Sequence, residues 1–487
     1  MSGLEQDAER IEALSDLRRF VEIVTQRGEL EIIEGADPHL EMGALYELSL
    51  RDRYPPALMF TNIAGCKSDR RVLTNVRFSK VFVGSLDLDA LKQHRAKGKW
   101  EAGLIPPREV STGPLFENII RGEAVNVFDF PPVKWHPLDG GPYIGTECLV
   151  INKDPDSDWV NVGTYRTQMQ NAKTLTVFIE PGKHGSMIRE KYWAKGLPCP
   201  MAVSVGQAPV LGIVAATSSR SGVSEYATAG GLIGRPIDTV RGEVTGLPLP
   251  ADAELVFEGF MPPPYEETMP EGPFAEWPGY YSSDGGPQPV LRVERIYHRN
   301  NPIIIGQPPA KPTYRGRQPS LDAMAALWDA LEAAGVPGVT GVWKLDGGGV
   351  RFINVISIKQ LYGGHAKMAG LVATGARAGA YLGRMTIVVD DDIDITNPAE
   401  VMWALATRWD PKTQTDIIDG CWTGHIDPVV SPDKRASGDI TSSRMIIYAV
   451  RPFHWKDEFP KVNAFEASDL DAVAKKWAGR AKFLRAE

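Results

Sequence analysis

Two carboxylates lie five residues apart in a segment rich in glycine, proline and aromatic side chains. The segment runs from Glu271 to Tyr281 and reads Glu-Gly-Pro-Phe-Ala-Glu-Trp-Pro-Gly-Tyr-Tyr, with the second acid at Glu276. A spacing of five does not stack two side chains on one helix face, and Pro273 and Pro278 disfavour a helix. We therefore expect a loop that turns back on itself and presents both acids to one space.

Residue types alone leave two interpretations of this acidic segment open. In the first, Glu271 and Glu276 are solvated on a surface turn, which is the commoner case because perturbed carboxylates are a minority. In the second, neighbouring aromatic rings desolvate the acids and raise a carboxyl pKa toward neutrality, where proton transfer is efficient. The aromatic neighbours are Phe274, Trp277, Tyr280 and Tyr281.

Polar side chains that suit anion or metal binding recur in the middle of the chain. Residues 159–166 alternate as a strand, with Asn161 and Tyr165 on one face and Arg166 on the other. Arg166 at the strand end could hold a carboxylate in bidentate fashion, although a structural salt bridge is the commoner role of a single arginine.

Two predicted helix starts follow this strand. The segment Glu180 to His184 passes from a strand through a Pro-Gly turn into a helix, whose exposed amides favour an anion such as phosphate. Glu225 begins the second helix, where it could bind a hard divalent cation or only favour the helix dipole. Asn161, His184 and Glu225 together would suit Mg²⁺ or Mn²⁺ better than a thiophilic metal, but sequence spacing does not show that they converge.

Two further segments in the last third carry chemistry-bearing residues. Gly363-Gly364-His365-Ala366-Lys367 opens a predicted helix that extends to about Leu382, and a glycine-rich entry with an early lysine suits a phosphate, although it matches no P-loop pattern. Four aspartates within residues 390–394 could bind a metal. We expect a solvated loop there instead, before a helix over 398–407.

Composition and charge restrict the class of protein. The chain has 487 residues, enough for two to three domains, and its 43% hydrophobic and 23% charged residues are ordinary for a globular protein. A net charge of −8 argues against nucleic-acid or anionic-membrane partners. Four cysteines without CxxC spacing indicate free thiols in a reducing compartment, and the polar N-terminus lacks signal-peptide features. These features predict a cytoplasmic enzyme or binding protein.

Hydrophobic patterning divides the chain into three segments, which we predict as domains over 1–125, 126–310 and 311–487. The first is a small α/β domain that opens with a helix between Leu14 and Val24. The middle segment is dominated by closely spaced strands, including one over Pro209–Ala215, as in a β-barrel or sandwich. The third is α/β and ends in an amphipathic helix over Asp469–Leu484, a natural oligomer contact.

Five motifs occur in an order and spacing that resembles the UbiD family of reversible decarboxylases, over nearly the whole chain. Any one of them alone would be weak. The motifs are Asn-Val-Gly-Thr-Tyr-Arg at 161–166, His184, Ser-Glu-Tyr at 224–226, the acidic segment at 271–281, and Gly-His-Ala-Lys at 364–367. Two departures are Ala275, where many members carry glycine, and the glutamate at 276, where some members carry aspartate.

The resemblance implies an α+β multi-domain fold, with a central split β-barrel that binds prenylated FMN between N-terminal and C-terminal α/β domains. The C-terminal domain would serve in homo-oligomerisation. The implied metal ligands of a Mn²⁺ or Mg²⁺ ion, with K⁺ beside it, are Asn161, His184 and Glu225. The implied cofactor-binding set is Asn161, Thr164, Tyr165, Arg166, Lys183, His184, Glu225 and Lys367, with Lys367 at the phosphate.

The resemblance also implies a catalytic set and a reaction. Arg166 would orient a substrate carboxylate, Glu271 would hold Arg166, and Glu276 would exchange a proton with the carbon that loses CO₂. Prenylated FMN, supplied by a flavin prenyltransferase, would take up the carbanion character of that step. An aromatic or heteroaromatic acid is the expected substrate, with Tyr165, Met169 and Trp277 as candidate liners.

Three alternatives remain open. A cinnamate-like α,β-unsaturated acid could be the substrate. A flavin oxidoreductase would have no need for Arg166, Glu271 and Glu276, and a non-catalytic subunit of a carboxylase complex would show degraded metal or acid positions. The visible spectrum of protein made with and without a flavin prenyltransferase would separate the last two classes.

Overall fold

The N-terminal part of the chain alternates helices and short strands. The computed structural model describes residues 3–52, 55–76, 81, 88–97, 103–216, 221–281, 285–311, 321–345, 351–463, 465 and 467–477. The first elements are α1 (Gly3–Ser15), α2 (Leu17–Gln26), β1 (Leu30–Glu34), α3 (Glu41–Ser49), β2 (Ala57–Thr61), β3 (Arg71–Thr74), α4 (Leu88–Lys97), β4 (Arg108–Glu109) and β5 (Asn118–Arg121).

The opening helix predicted between Leu14 and Val24 is interrupted. Asp16 has extended backbone angles and its carboxylate accepts a hydrogen bond from the Arg19 amide at 2.8 Å, so α2 begins anew after α1. An aspartate at this position caps the orphan amides of a helix start, and helical spacing of apolar residues does not reveal such a break.

The middle of the chain is rich in antiparallel strands, as predicted. Its elements are β6 (Tyr143–Gly145), β7 (Cys148–Lys153), β8 (Val160–Gly163), β9 (Thr167–Asn171), β10 (Thr174–Val177), α5 (His184–Trp193), β11 (Cys199–Val205), α6 (Pro209–Ala215), α7 (Glu225–Ile233), β12 (Asp238–Arg241), β13 (Pro248–Pro250), β14 (Leu255–Met261), β15 (Thr268–Glu271), β16 (Gly286–His298) and β17 (Ile303–Ile305).

The long strand β16 organises a large antiparallel sheet. The strand order is β6-β9-β10-β16-β14-β11-β7-β8, and β5 and β15 also pair with β16. Within the described ranges no pairing joins β6 to β8, so the order of this sheet is open. The split barrel implied by the resemblance therefore stays a prediction.

The strand predicted over Pro209–Ala215 is wrong, because this segment is helix α6. Pro209 occupies the first turn, where its missing N–H costs no hydrogen bond, and Val210, Leu211 and Val214 are buried in the adjoining core. A short, continuously apolar run has no periodicity that separates a buried strand from a buried helix.

A second sheet forms the C-terminal part. Its elements are α8 (Leu321–Ala333), β18 (Val339–Lys344), β19 (Ile353–Ile358), α9 (His365–Gly375), α10 (Arg377–Ala380), β20 (Met385–Asp390), α11 (Pro398–Arg408), β21 (Thr415–Trp422), α12 (Pro432–Ser437), β22 (Thr441–Ala449) and α13 (Ala467–Trp477). The order is β18-β19-β20-β22-β21, with β19, β20 and β22 parallel. Residues 478–484 of the predicted terminal helix lie outside the described residues.

Two predictions for this part need correction. The single helix expected to reach Leu382 ends at Gly375, because Ala376 takes extended backbone angles before the short α10. Asp390 does not belong to a solvated loop: it ends β20, is 2% exposed, and accepts hydrogen bonds from Arg408 and Arg451. The two guanidinium groups offset the cost of burying that charge.

Together these parts give a mixed α/β fold of several sheets. Strand β17 returns from the middle segment to pair in parallel with β3 of the N-terminal sheet. No helix in the described part of the chain is long and apolar enough to cross a membrane.

Candidate active site

Arg166 is the point at which the two acids of the 271–281 segment converge. It lies between β8 and β9, and its Nε and Nη2 donate to Oε1 and Oε2 of Glu271 at 2.7 and 2.9 Å. Its Nη1 donates to Oε1 of Glu276. The three side chains are only 7%, 1% and 12% exposed, in that order, so the interpretation as solvated surface acids is wrong.

The acid segment turns back on itself, as its prolines and glycines predict. Ala275 forms an isolated bridge with Tyr281, and the Glu276 amide donates to the Tyr280 carbonyl at 2.9 Å. Of the aromatic neighbours, Phe274 is buried whereas Tyr280 is 62% exposed, so only part of the aromatic set desolvates the acids.

A second loop, before β6, fixes the acid segment from one side. The carboxylate of Asp139 accepts from the Ala275 amide at 3.1 Å, and the Gly140 amide donates to the Pro273 carbonyl at 2.7 Å. The two backbones approach so closely that a Cβ on Gly140 would lie 1.9 Å from the carbonyl oxygen of Gly272. Asp139 and Gly140 thus hold the acid segment in place, and the sequence reasoning missed both.

Tyr143 on β6 completes the environment of Glu271. Its hydroxyl donates to Oε1 of Glu271 at 2.7 Å, and burial together with that carboxylate raises the pKa of Tyr143. The guanidinium of Arg166 also lies 4.1 Å from the ring centre of Phe178 and 5.3 Å from that of Phe274. Tyr143 was not predicted, because it is 128 positions from Glu271 along the chain and shares no local motif with it.

Burial and the charge of Arg166 act in opposite directions on the pKa of Glu276. Burial raises the pKa of Glu276 to about 7, although the charge and hydrogen bond of Arg166 act to lower it. Burial acts to lower the pKa of Arg166, and the bonds and charges of Glu271 and Glu276 outweigh it, so the guanidinium stays charged. A carboxyl group with a pKa near 7 can give or accept a proton near neutral pH.

The candidate metal ligands lie on adjoining elements. The Val162 amide donates to Oε2 of Glu225 at 2.8 Å. Asn152 links the elements that carry Asn161 and His184. Its Oδ1 accepts a hydrogen bond from Nδ2 of Asn161 at 3.0 Å. Its Nδ2 donates to the carbonyl of Gly185, the residue after His184, at 3.0 Å. The residues described contain no cluster of three His, Cys, Asp or Glu side chains suited to a metal, and this set uses an asparagine instead. An amide oxygen, a carboxylate and an imidazole fit Mg²⁺ or Mn²⁺.

Tyr165 lies between the guanidinium site and the start of α5. A Cβ on Gly163 would lie 2.6 Å from its ring and one on Gly185 would lie 2.9 Å away, so the two glycines make room for it. Its hydroxyl accepts from the Gly185 amide at 3.4 Å, and burial raises its pKa to about 12. Thr164 donates its amide to the Ala215 carbonyl at 3.2 Å.

Cationic groups collect at the N-terminus of α5. Burial, Arg351 and Arg377 lower the pKa of Lys183, which Glu180 opposes, and burial, Arg377 and Lys183 lower the pKa of His184. Like charges at a helix N-terminus suit an anionic ligand.

Lys367 lies in different surroundings. It is on α9, and its ammonium group pairs with Asp416 on β21 at 2.9 Å while its side chain is 57% exposed. Its predicted contact with a phosphate stays a prediction.

Family models match most of the chain in three consecutive pieces. They describe the N-terminal domain (residues 21–80), the Rift-related domain (residues 108–312) and the C-terminal domain (residues 322–449) of 3-octaprenyl-4-hydroxybenzoate carboxy-lyase, UbiD. Pyrrole-2-carboxylic acid decarboxylase of Pseudomonas aeruginosa is 32% identical over 467 residues, which cover 90% of this chain and 91% of that protein.

Solved structures agree with this assignment. HmfF from Pelotomaculum thermopropionicum, in complex with FMN, has a TM-score of 0.79 at 28% identity and covers 94% of this chain and 99% of its own, and an evolved dimeric form was solved with prFMN. Vanillic acid decarboxylase of Sedimentibacter hydroxybenzoicus, in closed form, has a TM-score of 0.80 at 27% identity, covering 96% of this chain and 99% of its own.

The fold matches that of solved UbiD-class enzymes over nearly the whole chain. The chain belongs to the UbiD family of decarboxylases.

Proposed function

We propose that the protein catalyses the reversible, non-oxidative decarboxylation of an aromatic or heteroaromatic carboxylic acid with prenylated FMN. The observation that carries the proposal is the buried guanidinium of Arg166, which both Glu271 and Glu276 bind. A cation suited to a carboxylate, next to an acid whose pKa is about 7, supplies both substrate orientation and proton transfer.

Each side chain has a separate task. Glu271 holds the guanidinium of Arg166 in place through two hydrogen bonds. Nη1 can therefore bind the substrate carboxylate once Glu276 releases it. The C–C bond to the carboxylate breaks and neutral CO₂ leaves. The electron pair of that bond remains on the ring carbon. Glu276 then gives its proton to that carbon, and in the reverse direction its carboxylate removes the proton.

The residues present fit the cofactor. When bound, prenylated FMN supplies the electron sink that no side chain provides. Asn161, His184 and Glu225 would hold Mn²⁺ or Mg²⁺, with K⁺ nearby, and Lys183 with the amides of α5 would face the phosphate. Thr164, Tyr165, Arg166 and Lys367 complete the proposed cofactor set. The cofactor would bind to a split-barrel domain over residues 126–310, which lies in the chain between domains 1–125 and 311–487. A flavin prenyltransferase would supply the cofactor.

The names of the relatives support an aromatic substrate class. One acts on pyrrole-2-carboxylic acid and another on vanillic acid. Of the three candidate liners, Met169 belongs to the central hydrophobic core and Tyr165 packs against that core. The two liners besides Met169 are the aromatic residues Tyr165 and Trp277. Both are large aromatic surfaces against which a flat substrate ring can stack.

The test is CO₂ release under anaerobic conditions by protein co-expressed with a flavin prenyltransferase. The panel contains benzoic, heteroaromatic and cinnamate-like acids, and the control is the same protein expressed without the prenyltransferase. We expect release from a benzoic or heteroaromatic acid only in the co-expressed sample. Release from cinnamate-like acids alone would overturn the substrate class. Activity with ordinary FMN and a hydride donor would overturn the reaction in favour of an oxidoreductase.

A further inference from the structure

The loop that carries Glu276 is also held from the C-terminal part of the chain. Arg351 lies two residues before β19, and its guanidinium carbon is 5.5 Å from the ring centre of Trp277 and 5.6 Å from that of Tyr381. The ring of Phe352 packs on Trp277 with centroids 5.9 Å apart and planes tilted by 38°. Two consecutive C-terminal residues thus hold the residue next to Glu276.

None of the proposed chemical steps uses these contacts. Burial lowers the pKa of Arg351, which means that its surroundings disfavour the charged form. Arginine nevertheless stays charged at any working pH. The faces of Trp277 and Tyr381 offset part of that cost, because a ring face attracts a cation. Lys183 and Lys344 lie in the same surroundings, and repulsion by the charge of Arg351 acts to lower the pKa of both.

Glu276 is consequently held between two anchors. On one side Asp139 binds the amide of Ala275, the residue before the acid. On the other side Arg351 and Phe352 pack against Trp277, the residue after Glu276. An acid that must deliver a proton to one carbon gains rate from being held in place, since displacement of about 1 Å can cost a large factor.

We propose that Arg351 is a positioning residue that fixes Glu276 through Trp277, so that the C-terminal sheet sets the placement of the catalytic acid. The proposal rests on the proton-transfer role proposed for Glu276. It adds a residue outside the Arg166, Glu271 and Glu276 set, contributed by the turn before β19.

Hydrogen exchange of the protein without cofactor tests the proposal independently of activity. The reporters are the amides of Glu276 and Gly279, which donate to the carbonyls of Tyr280 and Glu276 at 2.9 and 2.8 Å. In Arg351→Met we expect these amides to exchange about tenfold faster, because the loop opens locally more often. Arg351→Lys, which keeps a cation, and Trp277→Phe, which keeps a ring, should lie between Arg351→Met and the wild type.

Kinetics of the loaded enzyme give the second readout. In Arg351→Met we expect kcat to fall about tenfold with little change in KM, because positioning of the acid is lost while substrate binding is kept. The limb of the pH profile that belongs to Glu276 should also move to lower pH, because a looser loop is better hydrated.

Arg95→Met is the matched control. Arg95 lies 4.4 Å from the ring centre of Trp328 on α8, a contact of the same kind away from the acid loop. This variant should match the wild type in both readouts.

Unchanged exchange at Glu276 and Gly279 in Arg351→Met would overturn the proposal. If exchange is unchanged and FMN affinity falls, Arg351 serves a cofactor anion and not the acid. If Arg351→Met exchanges faster than the wild type as expected, but the loaded wild-type enzyme releases no CO₂, the proposed function is contradicted and the positioning of the loop by Arg351 still stands.

Discussion

At the scale of single residues, the contacts with Arg166 differ between the two acids. Glu271 accepts two hydrogen bonds from the guanidinium and a third from Tyr143. Glu276 has a single bond to Arg166, and burial raises its pKa to about 7. Two acids that share one cation but differ in surroundings can serve as a fixed anion and a proton carrier.

Replacing Glu276 by glutamine should abolish decarboxylation and the exchange for deuterium of the product's ring proton at the carbon that lost CO₂, while cofactor binding remains. The raised pKa gives the wild type a definite pH dependence. Proton donation needs the neutral acid, so decarboxylation should decline as pH rises through about 7, whereas deuterium exchange, which needs the carboxylate, should increase. Wild-type rates in the variant would remove Glu276 from the reaction.

The same residue provides a stability check without activity. Between its ordinary pKa of 4.5 and about 7, the folded protein retains a proton that the unfolded chain has lost, so the contribution of Glu276 to stability declines as pH rises through this window. Glutamine lacks this dependence. The Tm of Glu276→Gln relative to the wild type should therefore be higher at pH 8 than at pH 5.

Tyr143→Phe should lower kcat/KM by about tenfold, the effect of removing one hydrogen bond of about 1.5 kcal/mol from a charged group. Glu271 would then hold Arg166 less firmly. Tyr297→Phe is a matched control, because Tyr297 donates to the buried carboxylate of Glu258 at 2.5 Å in the same sheet away from the site. Equal losses of activity in the two variants would show that Tyr143 acts only through general stability.

At the scale of elements, local signals were sufficient where one pattern dominates. Alternating hydrophobic residues predicted most strands of the middle segment. Pro273 and Pro278 predicted the loop that carries Glu271 and Glu276. Two of the failures share one physical reason, which is that burial overrides the local pattern. Helix α6 is apolar on all sides, and Asp390 is held in the interior by arginines that lie 18 and 61 positions away.

The close approach of two loops gives a prediction at this scale. Gly140→Ala would place a Cβ 1.9 Å from the Gly272 carbonyl oxygen, so the acid segment must move and activity should fall at least about tenfold. Gly286→Ala, at the start of β16, meets nothing within 4 Å and serves as the control. Circular dichroism should show both variants folded. An active Gly140→Ala protein would mean that the acids tolerate displacement of their loop.

At the scale of the whole molecule, the site is assembled by segments far apart in the chain. Family motifs gave Arg166, Glu271 and Glu276, which the structure brings together. They did not give Asp139, Tyr143 or Arg351, because each reaches the site through the packing of separate sheets and loops. The residues proposed to carry the chemistry were thus accessible from sequence, whereas the residues in contact with them required the fold.

The terminal helix α13 gives a prediction about assembly. Leu470, Val473 and Trp477 are 53%, 54% and 47% exposed and recur at the spacing of one helical face. An exposed apolar stripe of this kind is typical of a contact with another chain, and the contact between copies expected from the sequence at this helix stays a prediction.

Leu470→Glu combined with Val473→Glu should therefore lower the solution mass measured by light scattering, because burying two carboxylates in an apolar contact is costly. Lys475→Glu, which adds negative charge on the opposite face of α13, should leave the mass unchanged. An unchanged mass in the double variant would assign the contact between copies to another surface. Since the acid site is built within one chain, cofactor-loaded protein of the lower mass should still bind substrate.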